Sequence, residues 1–130
     1  AYSARVRDQL EAEIGTIARG IAQTFGISAS YTFTRRIPPV INDSDTTARA
    51  RAAARSALGE GRVRTEFAPS TAGDDFAFFS QKVPGCYVWL GNGPAVDGAL
   101  HHNTRYDFND AAIAPGIAFW TRLVEMDLTD

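Results

Sequence analysis

The chain has 130 residues, 45% hydrophobic and 22% charged, an ordinary composition for one soluble globular domain that excludes disordered, collagenous and coiled-coil classes. Its apolar runs are far shorter than the ~20 residues a membrane-spanning helix needs, and charges near the N-terminus replace the apolar core of a signal peptide. The net charge is −2, with basic residues dispersed along the chain, so no nucleic-acid partner is expected; the single cysteine, Cys86, forms no internal disulfide and points to a reducing, cytoplasmic setting.

Over residues 3–25 the apolar residues Val6, Leu10, Ile14, Ile17, Ala18, Ile21 and Phe25 recur every three or four positions, with charges on the other faces. That spacing predicts an amphipathic helix closed by a left-handed cap at Gly26. Residues 27–34 switch to alternation, with Ile27, Ala29, Tyr31 and Phe33 on one side and hydroxyl residues on the other, which predicts a one-sided strand of an antiparallel or mixed sheet. One strand and one helix cannot cover each other, so its partner strands are expected elsewhere in the chain or in another polypeptide. Arg35-Arg36-Ile37-Pro38-Pro39 breaks both periods and marks a boundary.

Asn42-Asp43-Ser44-Asp45 offers N-cap residues to an alanine-rich helix running to about Leu58 and stopped by Gly59 and Gly61. Residues 62–67 alternate and predict a short strand; 69–73 predict a loop. Asp74-Asp75 opens a short helix carrying Phe76, Phe78 and Phe79, its acids at the positive end of the helix dipole. After Pro84-Gly85, the run Cys86-Tyr87-Val88-Trp89-Leu90 predicts a strand buried on both faces. Residues 91–106, aperiodic and carrying both histidines, predict a long surface loop. A final helix from Asn109 or Asp110 to Asp127, with Pro115 near its first turn, is expected to bury Ile113, Ile117, Trp120, Leu123 and Val124.

The stretch around His101-His102 follows the C-terminal end of a predicted buried strand, where open α/β sheets place their sites. It joins two imidazoles, common metal ligands, to Arg105 and Asp107. A complete metal site needs three or four ligands, so by itself the stretch reads more simply as a polar loop with solvated histidines. Asp74-Asp75 reads as a cap and dipole partner rather than a carboxylate pair, because adjacent helical positions diverge by about 100°. Cys86 reads as an inert core thiol. Ser70-Thr71 lacks the setting of a hydrolase nucleophile, and Gly91-Asn92-Gly93 lacks the spacing of a phosphate cradle.

In their order these segments resemble the C-terminal third of the dinuclear-metal amidohydrolases that include hippurate hydrolase, aminoacylase-like N-acyl-amino-acid amidohydrolases and auxin-conjugate hydrolases. The matching pieces are Pro38-Pro39-Val40-Ile41-Asn42-Asp43 and Gly73-Asp74-Asp75-Phe76-Ala77, where that family usually has Gly-Ser-Glu-Asp-Phe-Ala. Val83-Pro84-Gly85 then leads to Leu90-Gly91, and Leu100-His101-His102 to Tyr106-Asp107-Phe108-Asn109-Asp110. The resemblance implies an α/β fold: residues 44–130 as the C-terminal part of a mixed-sheet catalytic domain, 37–43 as a hinge, and 1–36 as the last helix and strand of a ferredoxin-like α+β lid. The strand's neighbours would then lie in a portion of the family's chain preceding Ala1.

The same resemblance implies hydrolysis of the amide bond of N-acyl amino acids such as hippurate. Two divalent metal ions (zinc, manganese, nickel or cobalt) would activate a bridging water, with a glutamate as base. One family ligand maps here, the histidine preceding the Tyr-Asp-Phe-Asn-Asp block, and its spacing selects His102 over His101. Arg36 and Asn42 at the hinge, and the backbone at Gly91, are candidates for holding substrate, the first two through bonds to a carboxylate. No catalytic residue maps onto the chain, so the 130-residue chain is expected to be inactive alone. Its expected partners are a second copy, through the lid, or the family's N-terminal portion. The alternative is a non-catalytic dimerisation or interaction module whose exposed helix and strand add to a partner's sheet edge.

Overall fold

In a computed structural model, which describes residues 1–94 and 98–128, helix α1 (Ala4–Thr24) starts where the Ser3 hydroxyl accepts the Val6 amide at 3.2 Å. It ends as expected at Gly26, whose φ of +66° only glycine adopts freely. The chain separates into two compact units, the first formed by Ala1–Asn42 with Ala68–Gly85 and the second by Asp43–Phe67 with the chain from Cys86 onward.

In the first unit, residues 27–36 return alongside α1 as an extended segment. Tyr31 lies against Gly15, so closely that a Cβ at that glycine would stand 2.8 Å from the ring. Farther along, the Arg35 guanidinium pairs with Asp8 at 2.8 Å and with Glu11 by two hydrogen bonds. The bond to Glu11 is the main cause holding the Arg35 pKa above its ordinary value. The Tyr2 hydroxyl donates to the Pro69 carbonyl at 3.0 Å and so ties residues 68–85 to the start of α1. The short helix α3 (Phe76–Ser80) opens where Asp74 Oδ1 accepts the Phe76 amide at 2.9 Å.

The second unit is built on α2 (Ser44–Leu58) and α4 (Ile113–Asp127). The Asp43 carboxylate caps α2 by accepting the Thr46 and Asp45 amides at 2.9 and 3.1 Å. Those bonds, the Thr46 amide foremost, hold its pKa below the ordinary carboxylate value. A 3-10 turn over Asp110–Ala112 leads into α4, and Pro115 falls in the first turn of that helix, where its missing N–H costs nothing. Ala50 and Ala53 of α2 pack against Phe119 of α4, flanked by Ala54, Cys86, Leu123 and Met126. Small residues on one helix admit the bulk of the other. Across the same pair, Arg122 Nε donates to Ser56 Oγ at 3.0 Å and Arg49 meets Asp127 at 3.4 Å.

The helical expectations for α1, α2, α3 and α4 hold, but the α/β fold class does not. Among the described residues there is no strand, hence no mixed sheet and no ferredoxin-like sheet. Residues 27–34, 63–67 and 86–90 lie outside every helix and form no ladder with a second extended segment; residue 62 closes a 3-10 turn over Glu60–Arg62. Alternation records which side chains could share a face, whereas a strand exists only through a ladder to a second backbone. The run 86–90 is also not buried, since Val88, Trp89 and Leu90 are exposed.

The face of α4 is corrected as well. Phe119 is its buried residue and Leu123 is half-buried, while Ile113, Ile117, Trp120 and Val124 are exposed. The apolar stripe is wider than the strip that alanine-rich α2 can cover. Among the described residues no helix is long and apolar enough to cross a membrane.

Candidate functional site

The residues expected to carry function fall in both units. Arg36 and Asn42 belong to the first, and both are exposed. Gly91, His101 and His102 belong to the second. A Cβ at Gly91 would meet nothing within 4 Å, so its backbone is open to an approaching group.

His101 and His102 lie on a turn whose geometry follows from local bonding. The Leu100 carbonyl accepts the Asn103 amide at 3.1 Å, which makes residues 100–103 a β-turn with His102 at its third position. His102 has φ +66°, the only positive φ at a non-glycine residue among those described. A positive φ at that position is one that glycine ordinarily supplies in turns. Asn103 then starts a second turn: its side-chain oxygen accepts the Arg105 amide at 2.9 Å and its carbonyl accepts the Tyr106 amide at 3.0 Å. The His101 ring centroid lies 6.1 Å from that of Trp89 and 5.1 Å from that of His102. Trp89 thus backs one imidazole, which in turn lies edge-on to the other. Both imidazoles are exposed.

The neck of this loop was not legible from composition. Asn109 donates two hydrogen bonds to Asn92, its amide to Oδ1 at 2.8 Å and its Nδ2 to the carbonyl at 3.1 Å. Asn92 Nδ2 reaches the Asp107 carbonyl at 3.2 Å, and Asn109 Oδ1 caps the 3-10 turn by accepting the Ala111 amide at 3.1 Å. Beside this neck is a hollow whose lining includes Asn92, Ala99, Arg105, Asp107 and Asn109. The preference for asparagine at the start of the last helix was a visible signal; its partner 17 positions upstream was not.

As donors the two imidazoles suit zinc and related metals. In number they do not complete a centre, because among the described residues no group of three or more His, Cys, Asp or Glu side chains is placed to hold a metal ion. The described residues by themselves do not make up a complete metal centre. Asp74 Oδ1 accepts the Phe76 amide at the start of α3, and Cys86 is half-buried against the α2–α4 core, near the Thr47 hydroxyl at 3.5 Å.

Comparison with known proteins adds a second line. The profile of peptidase family M20/M25/M40 matches residues 4–126. YhaA of Bacillus subtilis (strain 168), named as an amidohydrolase, is 30% identical over 115 residues, covering 87% of this chain and 29% of that protein. The N-acetylcysteine deacetylase of the same organism is 26% identical over 122 residues, covering 94% and 30%. The hippurate hydrolase of Campylobacter jejuni is 27% identical over 123 residues, covering 95% and 31%. The chain thus spans less than a third of the length of these relatives. No solved structure gives a significant match.

Proposed function

The chain belongs to peptidase family M20/M25/M40, and from that membership we propose that it is part of a metal-dependent amidohydrolase acting on N-acyl amino acids, to which it contributes the His102 imidazole as one metal ligand. The observation that supports this most is the conformation of His102. An exposed imidazole stands at the turn position that favours glycine, and residues held in sparsely populated backbone regions cluster at functional sites. Names of the relatives, N-acetylcysteine deacetylase and hippurate hydrolase among them, support an acylated amino acid as the substrate class. In the complete enzyme divalent metal ions supply Lewis acidity and a water of lowered pKa. This chain alone is inactive in this reading, because no third ligand accompanies the imidazoles among the described residues.

Titration of the chain with Co²⁺, followed by NMR of the histidine ring protons, tests the assignment. His102 signals broaden at the lowest metal concentrations, His102→Ala abolishes the effect, and hippurate supplied with metal is not hydrolysed. Tight binding of two metals per chain, or enzyme-like turnover of hippurate, refutes the reading.

A second reading, association of two copies through α1, is supported by one observation. Val6, Leu10, Ile14, Ile17 and Ile21 form a continuous stripe along α1, and all of them are exposed. Sedimentation equilibrium checks it: a dimer that Ile17→Asp dissociates supports the reading, and a monomer at all concentrations overturns it.

A further inference from the structure

Asn92 and Asn109 commit all four of their side-chain polar atoms to hydrogen bonds with backbone at the neck of the histidine loop. We propose that this pair is a positioning clasp, which holds the two ends of that loop together so that the turn at 100–103 keeps His102 in its left-handed conformation and His101 against Trp89. The inference rests on the reading above that the loop's imidazole is the functional group.

Four observations carry it. First, the bonds are chemically unambiguous: Asn92 faces an N–H with its oxygen and a carbonyl with its nitrogen, so a flipped amide would break both. The orientation of the neck is therefore unique. Second, the residue following Asn92 is made small for its partner. Gly93 has φ +84°, and a Cβ there would stand 3.2 Å from Asn109 Nδ2. Third, Asn109 caps the 3-10 turn that leads into α4, which ties the neck to the helix pair forming the core of this unit.

Fourth, among the described residues of the loop, the backbone bonds near the histidines are those of short turns. Turns of this kind are marginal in water when their ends are free, because closing a flexible loop costs entropy that local bonds recover poorly. The left-handed His102 adds an intrinsic cost that glycine would not carry. A conformation costly at one residue persists only where its surroundings over-determine it, and the bonds between Asn92, Asp107 and Asn109 join the Trp89–His101 ring contact and the Asn103 turn bonds as the restraints around it.

The experiment is NMR of the metal-free 130-residue chain, comparing wild type with Asn109→Ala and Asn92→Asp. Two signatures are read: the ring-proton shifts of His101 and His102, displaced in wild type by the neighbouring rings, and hydrogen exchange at the Asn103 and Tyr106 amides. In Asn109→Ala, which removes two side-chain bonds, the ring shifts move toward free-histidine values. Both loop amides exchange about tenfold faster or more. Amides of α2 and α4 keep wild-type protection, a difference that general destabilisation would not produce.

Asn92→Asp keeps the acceptor for the Asn109 amide but sets a carboxylate oxygen against the Asp107 carbonyl, so it also loosens the neck and moves both signatures in the same direction as Asn109→Ala. It decides the question alone if Asn109→Ala unfolds α2 and α4. Unchanged ring shifts and loop exchange in Asn92→Asp, or loop and helix amides accelerating together in it, overturn the clasp. Adding Co²⁺ to the wild type separates the two readings. If neither imidazole broadens, the metal assignment falls while the clasp stands on its metal-free signature; if His102 broadens in wild type and equally in a variant whose loop is unchanged, the clasp falls and the metal assignment stands.

Discussion

Two glycines on one helix isolate the contact that seats the segment leading to Arg36. Gly15 and Gly20 both lie inside α1. Replacing a mid-helix glycine by alanine removes backbone entropy from the unfolded chain and stabilises by about 0.8–1.0 kcal/mol when space allows. At Gly20 a Cβ meets nothing within 4 Å, so Gly20→Ala should realise that gain. At Gly15 the same Cβ would sit 2.8 Å from Tyr31 Cδ1 and 3.2 Å from an Arg19 guanidinium nitrogen. The arginine tip can move at little cost. Tyr31 cannot move without leaving α1, and forced displacement of a packed ring costs roughly 1–3 kcal/mol.

Because the steric cost equals or exceeds the propensity gain, Gly15→Ala should be neutral to destabilising by about 2 kcal/mol. The two variants should then differ by roughly 1–3 kcal/mol with opposite or null signs. Urea denaturation followed by circular dichroism at 222 nm reads both on one helix, so errors in the extrapolation largely cancel. If Gly15→Ala stabilises as much as Gly20→Ala, Tyr31 is not seated on α1. Residues 27–36 would then be held by the Arg35 ion pairs and by the Ile27 amide donating to the Ala22 carbonyl at 3.0 Å.

Phe119→Ala should cost about 3 kcal/mol, since the small residues of α2 facing it cannot refill the space, whereas Ile117→Ala, at a position 62% exposed, should fall within about 0.5 kcal/mol of wild type; equal losses would reverse the assignment of the α4 face. The Asp43 carboxyl has its pKa lowered in the folded chain, so it adds stability that is present above its unfolded pKa of about 3.9 and is lost as pH falls through the folded value. Asparagine in place of Asp43 still caps but does not titrate; thermal midpoints of wild type and Asp43→Asn should therefore converge or cross below about pH 4, and parallel curves would refute the cap's charge dependence. His102→Gly should relieve the left-handed backbone, worth about 1 kcal/mol, and leave Tm unchanged or raised while removing Co²⁺ broadening. A lowered Tm would show instead that the imidazole, rather than the backbone, stabilises the loop.

The elements legible in the sequence are those whose bonds are local. An α-helix closes its hydrogen bonds four residues away, so the period of Val6, Leu10, Ile14 and Ile17, the Asp43 cap and the left-handed Gly26 could all be read along the chain, whereas the Ser3 cap was not read. Alternation at 27–34 and the apolar run at 86–90 were read equally well as patterns and still misassigned, because a ladder depends on a second backbone that the pattern does not specify. The α4 error is of the same kind. Its helical stripe is correct, but which part of it is buried depends on the width of α2, where Ala50 and Ala53 present only a narrow face. In the candidate site, a loop bearing His101 and His102 was evident from the two imidazoles among glycines and prolines. The neck that closes it was not, since Asn109 could be read as a helix start but nothing along the chain pairs it with Asn92, 17 positions upstream.

The same physics connects the thin core to the open surfaces. The buried apolar residues among those described are six alanines and Phe119, and no large side chain is fully buried. Each half-exposed Val, Leu or Ile on α1 forgoes roughly half of the 1.5–3 kcal/mol that full burial supplies. Val6, Leu10, Ile14, Ile17 and Ile21 together leave on the order of 5 kcal/mol unrealised, comparable with the lower end of the whole stability of a domain, about 5–15 kcal/mol. That stripe is the surface the proposed association of two copies would cover. The exposed histidine turn argues separately for a group that meets something other than water, because a left-handed imidazole gains the chain nothing in stability. The two arguments rest on different residues in different units, and each can fail without the other.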